Sequence, residues 1–432
     1  MSAWTVLPAT AFCASVRDGT HDSPKRVDVG QKLITSKHMI GDRLTLDKAY
    51  LISNEDFEGI NRRSKVDQWD VLISMIGTVG EVFLVKEEPN FAIKNIGLFK
   101  SKSELHGRWL FNFLRSPRAQ EEIASRLRGT TQLYIPLGEL RTLPIWHPSG
   151  ENEMREITSV LDALDDKIEM NRKTAATLEE MARALYRSWF VDFDPVHAKA
   201  AGRAPAHMDT KTAALFPDSF GENGLPEGWD EKRFIDVASL KNGYAFKSTD
   251  WTEEGVPVIK IKSIKDGSID LGNASLVSDK LAKEKSAFKI DEGAAAIGLT
   301  GYVGEVGRVP PSSNGALVNQ RVARIDPEDG TAFSPFVYAM SRTIEFKDYV
   351  IGKSYGSAQP NVSTKDILNY VCCAPDTLIS KYNEHAGPIY AKQFSAAKES
   401  QTLTTLRDTL LPRLMSGELR VGKAKETVEA VA

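Results

Sequence analysis

The chain has 432 residues, enough for two to four domains, and its 41% hydrophobic and 26% charged residues suit a globular protein with a sizeable core. A formal net charge of −3 argues against strong sequence-independent binding of nucleic acid, because such binding comes mainly from cationic contacts to phosphate. No apolar run approaches the ~18–20 residues of a membrane span. The three cysteines form no disulfide framework, which predicts a reducing, cytoplasmic environment.

A short turn occurs twice in the sequence. Gly77–Val82 reads GTVGEV and Gly301–Val306 reads GYVGEV, and we expect their glycines to serve tight hairpins. The similarity extends outward in one order with a nearly constant shift. The matched segments are Trp4 with Trp229, Ile73 with Ile297, Asn95 with Asn319, Gln132 with Gln359, and Thr177–Trp189 with Thr402–Leu414. The chain is therefore predicted to be a tandem duplication of two similar domains.

Each copy is predicted to begin with an α+β globule. In the first copy, short apolar runs such as Asp70–Ile76 and Val82–Val85 alternate with Gly, Pro and Asn, the pattern of strands and turns. Trp109–Ser116 has a helical pattern. We expect the first globular domain to span residues 1–148 and the second to span residues 228–375.

A long helix is predicted after the first globule, in residues 149–195. Glu151 and Glu153 favour a helix start there, because carboxylates complement the helix dipole. Apolar residues then follow in alternating steps of four and three, a heptad seam that requires a partner helix. The seam consists of Ile157, Leu161, Leu164, Ile168, Asn171, Ala175, Leu178, Ala182, Leu185 and Trp189. Pro195 is expected to end this helix.

A second helical region is predicted in residues 376–420, and we expect it to pair antiparallel with the first. Gly387-Pro388 is expected to break or kink it. Residues 196–227, rich in Ala, Gly and Pro, are predicted to be a surface linker with one short helical turn, and residues 421–432 a tail. The apolar stripe of the second helix consists of Leu403, Leu406, Leu410 and Leu414.

No catalytic signature is complete in the sequence. Ile351–Gly356 contains Gly-Lys-Ser, but a phosphate-binding loop needs a further glycine where Lys347 stands. The histidines and cysteines never reach metal-ligand spacing. Asp218, Asp230 and Lys232 resemble a nuclease site, an alternative that their linker-like surroundings disfavour. We predict that the chain is not an enzyme and binds no metal or cofactor of its own.

Polar and planar side chains cluster at turns within each globule. Arg and Lys read guanine edges, Asn and Gln read adenine edges, and Ser or Thr serve either, so these loops suit base readout. The alternative is that they are ordinary turn residues, since Asn, Gly, Ser and Asp favour turns anyway. The candidates in the first copy are Thr20, His21, Lys25, Lys37, His38, Lys94, Asn95, Thr130, Thr131, Gln132 and Tyr134. The candidates in the second copy are Lys241, Asn242, Tyr244, Lys247, Lys260, Lys262, Asn319, Gln320, Arg321, Ser357, Gln359 and Asn361.

Five stretches together carry a family resemblance. They are DGTH at Asp18–His21, Thr177–Val196, the linker containing ALFPDSF and GLPEGW, NGYAFKS at Asn242–Ser248, and Leu406–Leu419. They closely resemble the specificity (S) subunits of type I restriction-modification systems. The resemblance implies two target recognition domains, each followed by a long helix, with the two helices paired as an antiparallel coiled coil.

The resemblance also implies partners and a function. Each domain would read one half of a bipartite, asymmetric site in double-stranded DNA, and the coil would set the gap between the halves. Two modification subunits would add adenine-N6 methylation, and two restriction subunits would cleave unmodified DNA. S-adenosylmethionine, ATP and Mg²⁺ would belong to those partners, with no role for a membrane. The alternative is a non-catalytic coiled-coil scaffold that binds protein or glycan through its two heads.

Overall fold

The structure, a computed structural model, describes residues 4–41, 43–311, 315–356 and 359–430. The chain forms two compact units. Unit 1 comprises Met1–Ile168 and Leu403–Ala432, and unit 2 comprises Glu169–Thr402. Each unit contains a head of strands and short helices together with parts of two long helices.

The first head, residues 4–148, belongs to unit 1. Its strands are β1 (Trp4–Pro8), β2 (Ser15–Asp18), β3 (Gln31–Ile34), β4 (Met39–Ile40), β5 (Arg43–Leu44), β6 (Tyr50–Ile52), β7 (Val71–Ser74), β8 (Val82–Leu84), β9 (Phe91–Ile93), β10 (Ile96–Lys100) and β11 (Pro144–Pro148). Its helices are α1 (Ala9–Phe12), α2 (Asn54–Ser64), α3 (Glu104–Arg115), α4 (Pro117–Ser125) and α5 (Leu137–Arg141). The sheets have the orders β2-β10-β7-β8, β6-β3-β9, β1-β11 and β4-β5.

The central strands of the first head are buried on both faces. Along β7, Val71 and Ile73 lie in a cluster with Trp109 of α3, whereas Leu72 lies in a second cluster with Ile34 of β3. This alternation is the two-residue period of a strand. The β7 sheet therefore lies between α3 and the layer that contains β3, and its β7–β8 connection is the first of the two repeated turns.

The first long helix, α6 (Glu151–Phe190), follows the first head and is succeeded by α7 (Asp194–Ala200) and α8 (Thr210–Ala213). It ends five residues before Pro195, which instead lies in the first turn of α7. The segment predicted to be a surface linker is partly packed, because Val196 and Phe216 are buried in one cluster with Trp189. It contains two short helices where one helical turn was expected.

The second head, residues 229–373, belongs to unit 2. Its strands are β12 (Glu231–Arg233), β13 (Ala238–Asn242), β14 (Trp251–Thr252), β15 (Val256–Ile259), β16 (Ile264–Lys265), β17 (Gly267–Ile269), β18 (Ser275–Val277), β19 (Lys289–Ile290), β20 (Ala295–Gly298), β21 (Val306–Arg308), β22 (Ala316–Val318), β23 (Val322–Pro327) and β24 (Val371–Cys373). Its helices are α9 (Asp279–Glu284), α10 (Pro335–Ser341), α11 (Ile344–Gly352) and α12 (Thr364–Leu368). The sheets have the orders β13-β23-β20-β21-β17-β16, β14-β18-β15-β22-β19 and β12-β24.

The two heads share a strand topology. The order β2-β10-β7-β8 of the first head corresponds to β13-β23-β20-β21 of the second. The parallel pair β3–β9 corresponds to β15–β22, and the antiparallel pair β1–β11 corresponds to β12–β24. The predicted tandem duplication of an α+β domain is therefore confirmed, and the second head extends its sheet with β17 and β16.

The second long helix, α13 (Asp376–Met415), is followed by α14 (Val421–Glu429). Helices α6 and α13 are each 40 residues long. Within unit 2, Nδ2 of Asn171 donates to Glu399 (2.9 Å), Nε2 of Gln393 donates to Glu179 (2.6 Å), and the Tyr382 hydroxyl donates to the Ala182 carbonyl (2.8 Å). Residue numbers fall along α13 as they rise along α6, so the predicted antiparallel pairing is confirmed. Within unit 1, the two helices share a buried cluster of Ile157, Leu161, Leu164, Ile168, Leu403, Leu410 and Leu414.

Two predictions about these helices need correction. Gly387-Pro388 does not interrupt α13, because the flanking Ala386 and Tyr390 are buried in the core of unit 2 and compensate for the backbone hydrogen bond that proline cannot donate. Leu178 and Leu185 are only half-buried, whereas neighbouring Glu179 is buried. In this stretch α6 packs against α10 as well as α13, so Glu179 and Tyr186 are buried in addition to the predicted seam residues Ala182 and Trp189. None of the helices in the described ranges combines the length and the apolar character needed to cross a bilayer.

Candidate nucleic-acid interface

A closed loop at the surface of the first head presents Gln132. Arg128 and Tyr134 exchange backbone hydrogen bonds of 2.8 and 2.9 Å, which enclose the five residues Gly129–Leu133. Gly129 has a φ of 93°, and a Cβ at this position would lie 2.4 Å from the Gln132 carbonyl oxygen. Only glycine fits this position without strain. The Gln132 side chain is exposed and makes no hydrogen bond to the described part of the chain.

The repeated turn of the first head holds this loop in place. The Gly77 N–H donates to the Leu133 carbonyl (3.1 Å), and the Ile135 N–H donates to the Met75 carbonyl (3.0 Å). Gly77 and Gly80 both have positive φ, at 82° and 99°. The turn therefore has the predicted tight geometry, and it also fixes the position of the glutamine loop.

The second head repeats this arrangement. Tyr355 and Asn361 exchange backbone hydrogen bonds of 2.9 Å, and the Gly301 N–H donates to the Pro360 carbonyl (2.8 Å). Gly356 has a φ of 96°, close to that of its counterpart in the first head. Gln359 is exposed at the matching position. The chain thus carries one glycine turn twice because each copy supports one glutamine loop.

A cavity of about 620 Å³ opens beside the glutamine loop of the first head. It brings together four of the candidates, Lys37, His38, Asn95 and Gln132. The remaining lining residues are Thr35, Ser36, Tyr50, Ile76, Gly77 and Thr78. Concave sites lined by a few convergent polar groups are the usual form of binding sites.

Two of the cavity candidates are held by other residues of the head. His38 is buried, and its Nδ1 accepts from the Thr35 N–H (2.9 Å), while its Nε2 lies 3.3 Å from the Lys48 carbonyl oxygen. Oδ1 of Asn95 lies 2.8 Å from Nδ1 of His21, and the Asn95 φ of 54° places it in the left-handed region that asparagine tolerates. These two side chains shape the cavity wall, whereas Lys37 and Gln132 are exposed.

The other candidates of the first head are not in the lining of this cavity. Nε2 of His21 contacts Oδ2 of Asp18 (3.0 Å), Thr20 Oγ1 accepts from the Asp22 N–H (3.1 Å), and Lys94 donates to Ser23. His21 is exposed as well, and so are the remaining members Lys25, Thr130, Thr131 and Tyr134.

A cavity of about 430 Å³ occupies the corresponding place in the second head. It brings together the candidates Lys260, Lys262, Asn319 and Arg321, with Ile261, Ser263, Asn273, Ala274 and Ser275 completing the lining. Lys260 is engaged, because its Nζ lies 3.7 Å from the centroid of the Trp251 ring and donates to Ser275 (2.6 Å). Burial lowers the pKa of Lys260. Lys262 and Arg321 are exposed.

The structure does not bring every candidate of the second head to this cavity. Gln359 is not in its lining, and the Asn361 amide is engaged by Thr300 and by the Tyr355 hydroxyl, each at 2.7 Å. Lys241 forms an ion pair with Asp326 (3.0 Å). Ser357 lies outside the described residues. The remaining exposed or half-exposed candidates are Asn242, Tyr244, Lys247 and Gln320.

The alignment of the two cavities differs from the sequence expectation by one residue. The Lys94 N–H donates to the carbonyl after β3, that of Ile34, and the Asn319 N–H donates to the matching carbonyl of Ile259. Asn319 therefore corresponds to Lys94, and the predicted match with Asn95 is wrong. The next N–H groups, of Asn95 and Gln320, also donate to equivalent carbonyls, those of Thr20 and Tyr244.

Sequence reasoning missed several residues of these surfaces. Thr78 lines the first cavity, and its counterpart Tyr302 is 62% exposed in the second head. Both occupy the second position of the repeated turn, which reads G-T-V-G in the first copy and G-Y-V-G in the second. This difference between the copies was the signal in the sequence that could have identified them. Tyr50, Asn273 and Ser275 carried no pattern that marks them in the sequence.

The residues weighed as a nuclease site make no hydrogen bond or ion pair with one another among the described residues. Lys232 forms an ion pair with Asp376 (2.8 Å), and Asp218 and Asp230 are both exposed. Among the described residues, no group of three or more His, Cys, Asp or Glu is placed to hold a metal ion.

Known proteins share this architecture. The family model described as "Type I restriction modification DNA specificity domain" matches residues 34–180 and 226–373. The type I restriction enzyme HindI specificity subunit of Haemophilus influenzae is 27% identical, over 72% of this chain and 77% of its own length. The MjaIX specificity subunit of Methanocaldococcus jannaschii is 23% identical, over 81% of this chain and 78% of its own length.

A solved structure supports the fold. The type I restriction-modification S subunit from M. genitalium superimposes with a TM-score of 0.55 at 16% sequence identity, covering 96% of each chain. Two separate matches to one family model also agree with the duplication seen in the strand topology. This chain is a member of the type I restriction-modification DNA specificity family.

Proposed function

We propose that this chain is the DNA sequence-specificity subunit of a type I restriction-modification complex, and that each head reads one half of a bipartite, asymmetric site. The observation that carries the proposal is the repeated glutamine loop, which the same glycine turn holds in both heads. Each head also has a polar cavity, and the loop of the first head lines its cavity. Asn and Gln amides pair with adenine edges, and Lys and Arg pair with guanine edges. No observation favours the protein- or glycan-binding scaffold.

The duplication accounts for an asymmetric site. Two DNA-binding domains that are related by a two-fold axis suit half-sites on antiparallel strands, as in dimeric DNA-binding proteins. Here the backbone of the reading surface is repeated while some of its side chains differ. Thr78 of the first head corresponds to Tyr302 of the second, and Arg321 lines only the cavity of the second head. Two unlike surfaces on one scaffold select two unlike half-sites.

The chain acts with partners in this proposal. Two modification subunits supply adenine-N6 methylation, and two restriction subunits supply cleavage of unmodified DNA, so S-adenosylmethionine, ATP and Mg²⁺ are bound by those subunits. The formal net charge of −3 fits this division, because partners then supply many of the phosphate contacts. The complex would operate in the cytoplasm, and this chain would catalyse no step itself.

The proposal assigns one role to each segment of the chain. Residues 1–148 and 228–375 are the target recognition domains, residues 149–195 and 376–420 are the helical spacers, residues 196–227 are the linker, and residues 421–432 are the tail. The spacer role is supported by the buried contacts between α6 and α13 in each unit.

The test is to express the chain with its modification partner and to map methylated adenines in the cellular DNA. We expect one motif with two unlike specific halves and a fixed gap. Cells that carry the modification subunit without this chain provide the control. Methylation at no particular sequence, or at a single continuous palindrome, would contradict the proposal.

A further inference from the structure

The second head carries one residue that the first head lacks at the corresponding place. Ile96 and Val322 occupy equivalent positions, because their carbonyls accept from the equivalent Gly19 and Gly243 N–H groups (2.9 and 3.1 Å). Asn95, which precedes Ile96 directly, corresponds to Gln320. Arg321 is therefore an insertion, at the point where the chain passes from the β15–β22 layer into β23.

Arg321 is exposed at the cavity of the second head. Its guanidinium forms no hydrogen bond or ion pair with any described residue, and its backbone N–H is held by Oδ1 of Asn319 (3.3 Å). The backbone is fixed while the five N–H donors of the side chain remain available. This combination suits recognition of an external planar acceptor pair.

Lys262 has a different relation to the first head. It lies in the 3₁₀ turn Ile261–Ser263, and Lys37 lies at the same place in the 3₁₀ turn Ser36–His38. Both lysines are exposed and line their cavities. Two heads that read different sequences still face the same sugar-phosphate backbone, so a cation present in both heads fits a phosphate contact, which carries no sequence information.

We propose that Arg321 reads a guanine in the half-site of the second head, by a bidentate contact to N7 and O6 in the major groove, while Lys262 and Lys37 contact phosphate. Arg to guanine is the commonest specific contact in this groove. The first head has no inserted cation, and its exposed Gln132 and the nearby Thr78 suit an A·T pair instead. This inference rests on the proposed function and adds a base identity to one head.

The experiment uses the full chain in complex with its modification subunit, with duplexes in which each position of the two half-sites is varied in turn. For Arg321→Ala we expect selectivity at one G·C pair of the second half-site to fall about tenfold or more, with the other positions and the first half-site unchanged. Arg321→Lys is expected to retain part of the selectivity, since lysine offers a point charge rather than a fork.

Lys262→Ala and Lys37→Ala are the matched controls. Each is expected to weaken binding equally on all sequences and to reduce the slope of log K against log salt by about 0.9. Arg321 is exposed, so unchanged thermal unfolding of Arg321→Ala would show that the head stays folded. Equal weakening on all sequences by Arg321→Ala, or no change, overturns the guanine assignment. If the wild-type complex itself shows no sequence preference, the proposed function fails instead.

Discussion

Gln132 and Gln359 are matching residues with different surroundings. Both lie on five-residue loops closed by backbone hydrogen bonds and supported by a glycine turn. Gln132 lines a cavity, whereas Gln359 does not belong to the cavity found in its own head. The backbone positions are therefore conserved between the copies of this chain, and the side-chain environments are not.

Gln132→Ala is expected to weaken recognition of the first half-site only, by about 1–3 kcal/mol if its amide makes a bidentate contact to adenine. Gln359→Ala is expected to act only on the second half-site. The measurement is binding of the assembled complex to duplexes with one altered half-site at a time. Equal loss on every duplex would show a contact to phosphate or a role in folding.

Gly129→Ala tests whether loop geometry limits recognition. The new Cβ would meet the Gln132 carbonyl oxygen at 2.4 Å with φ at 93°, so we expect a cost of about 1–3 kcal/mol or a displaced loop. Gly138→Ala is the matched control, because its Cβ would meet open space at the start of α5. Binding assays and thermal unfolding should separate the two variants. Full recognition of the first half-site by Gly129→Ala would show that the loop conformation is unimportant.

The sequence predicted the positions of these loops but not their environments. Shared letters at Gly77, Gly129 and Gln132 located equivalent backbone, because a positive φ leaves a glycine signature. Engagement of Asn361 by Thr300, of Lys241 by Asp326 and of Lys260 by Trp251 depends on strands that are distant in sequence. The sequence also did not reveal that Arg321 is an insertion, because only the backbone hydrogen bonds of the two heads fix their alignment.

At the level of elements, a buried ion network ties α3 to both long helices within unit 1. Arg115 makes a two-pronged contact to Asp165 of α6 (2.7 and 3.3 Å), and Arg407 of α13 donates to the same carboxylate (2.8 Å). Burial alone would raise the pKa of Asp165, but the two guanidinium groups outweigh it and hold the pKa below its ordinary value. In unit 2, Glu179 plays a similar part by accepting from Arg342 and Gln393, both at 2.6 Å.

Asp165→Asn is expected to destabilise the protein by about 3 kcal/mol at neutral pH, because it removes the buried carboxylate that pairs with Arg115 and leaves Arg407 paired with Asp408 alone. The pKa of Asp165 is lower in the folded chain than in the unfolded chain. Its stabilisation is therefore complete above a pH of about 4 and is lost as the pH falls through the folded-state pKa. Asp165→Asn should remove this part of the acid sensitivity.

Urea unfolding of both proteins between pH 3 and 7 checks this prediction. Asp166→Asn is the control, because Asp166 is an exposed neighbour whose ion pair with Lys86 (2.7 Å) is worth at most about 1 kcal/mol. A loss as small as that of the control at every pH would show that the network adds little to stability.

Helix prediction from periodicity succeeded where the partner was another helix. The seam from Ile157 to Ile168 is buried as expected, since it meets leucines of α13. Beyond Asn171 the seam residues Ala182 and Trp189 stay buried. Aromatic residues of the second head, such as Phe336 against Tyr186 (5.5 Å between ring centroids), bury a neighbouring face of α6 as well. Pro388 was misleading because its penalty is local, whereas the burial that offsets it comes from tertiary packing.

At the scale of the whole molecule, the duplication explains why the two long helices have the same length. They begin and end at equivalent points of the two copies, with Glu151 matching Asp376 and Phe190 matching Met415. Duplicated helices of equal length can pair antiparallel along their whole extent without an unpaired end. The proposed spacer role follows from this pairing, because the long helices of both copies then determine the length of the helix pair together.

The spacer role predicts that matched insertions change the gap between half-sites. One heptad would be inserted between Asn171 and Glu179 of α6, and another between Gln393 and Glu399 of α13, the facing segments according to their hydrogen bonds. Seven residues add about 10 Å to each helix and preserve its seam. Since base pairs are spaced about 3.4 Å apart, we expect the tolerated gap to grow by about three base pairs.

Methylation of duplexes with gaps of graded length, by the assembled complex, measures the effect. Insertion into α6 alone is the control and is expected to abolish activity, because the added turns have no partner and the pairing beyond them loses its register. The half-site sequences should stay the same in the doubly inserted protein, since neither reading surface is altered. A folded, active double insertion that keeps the original gap would show that something other than the paired helices sets the distance.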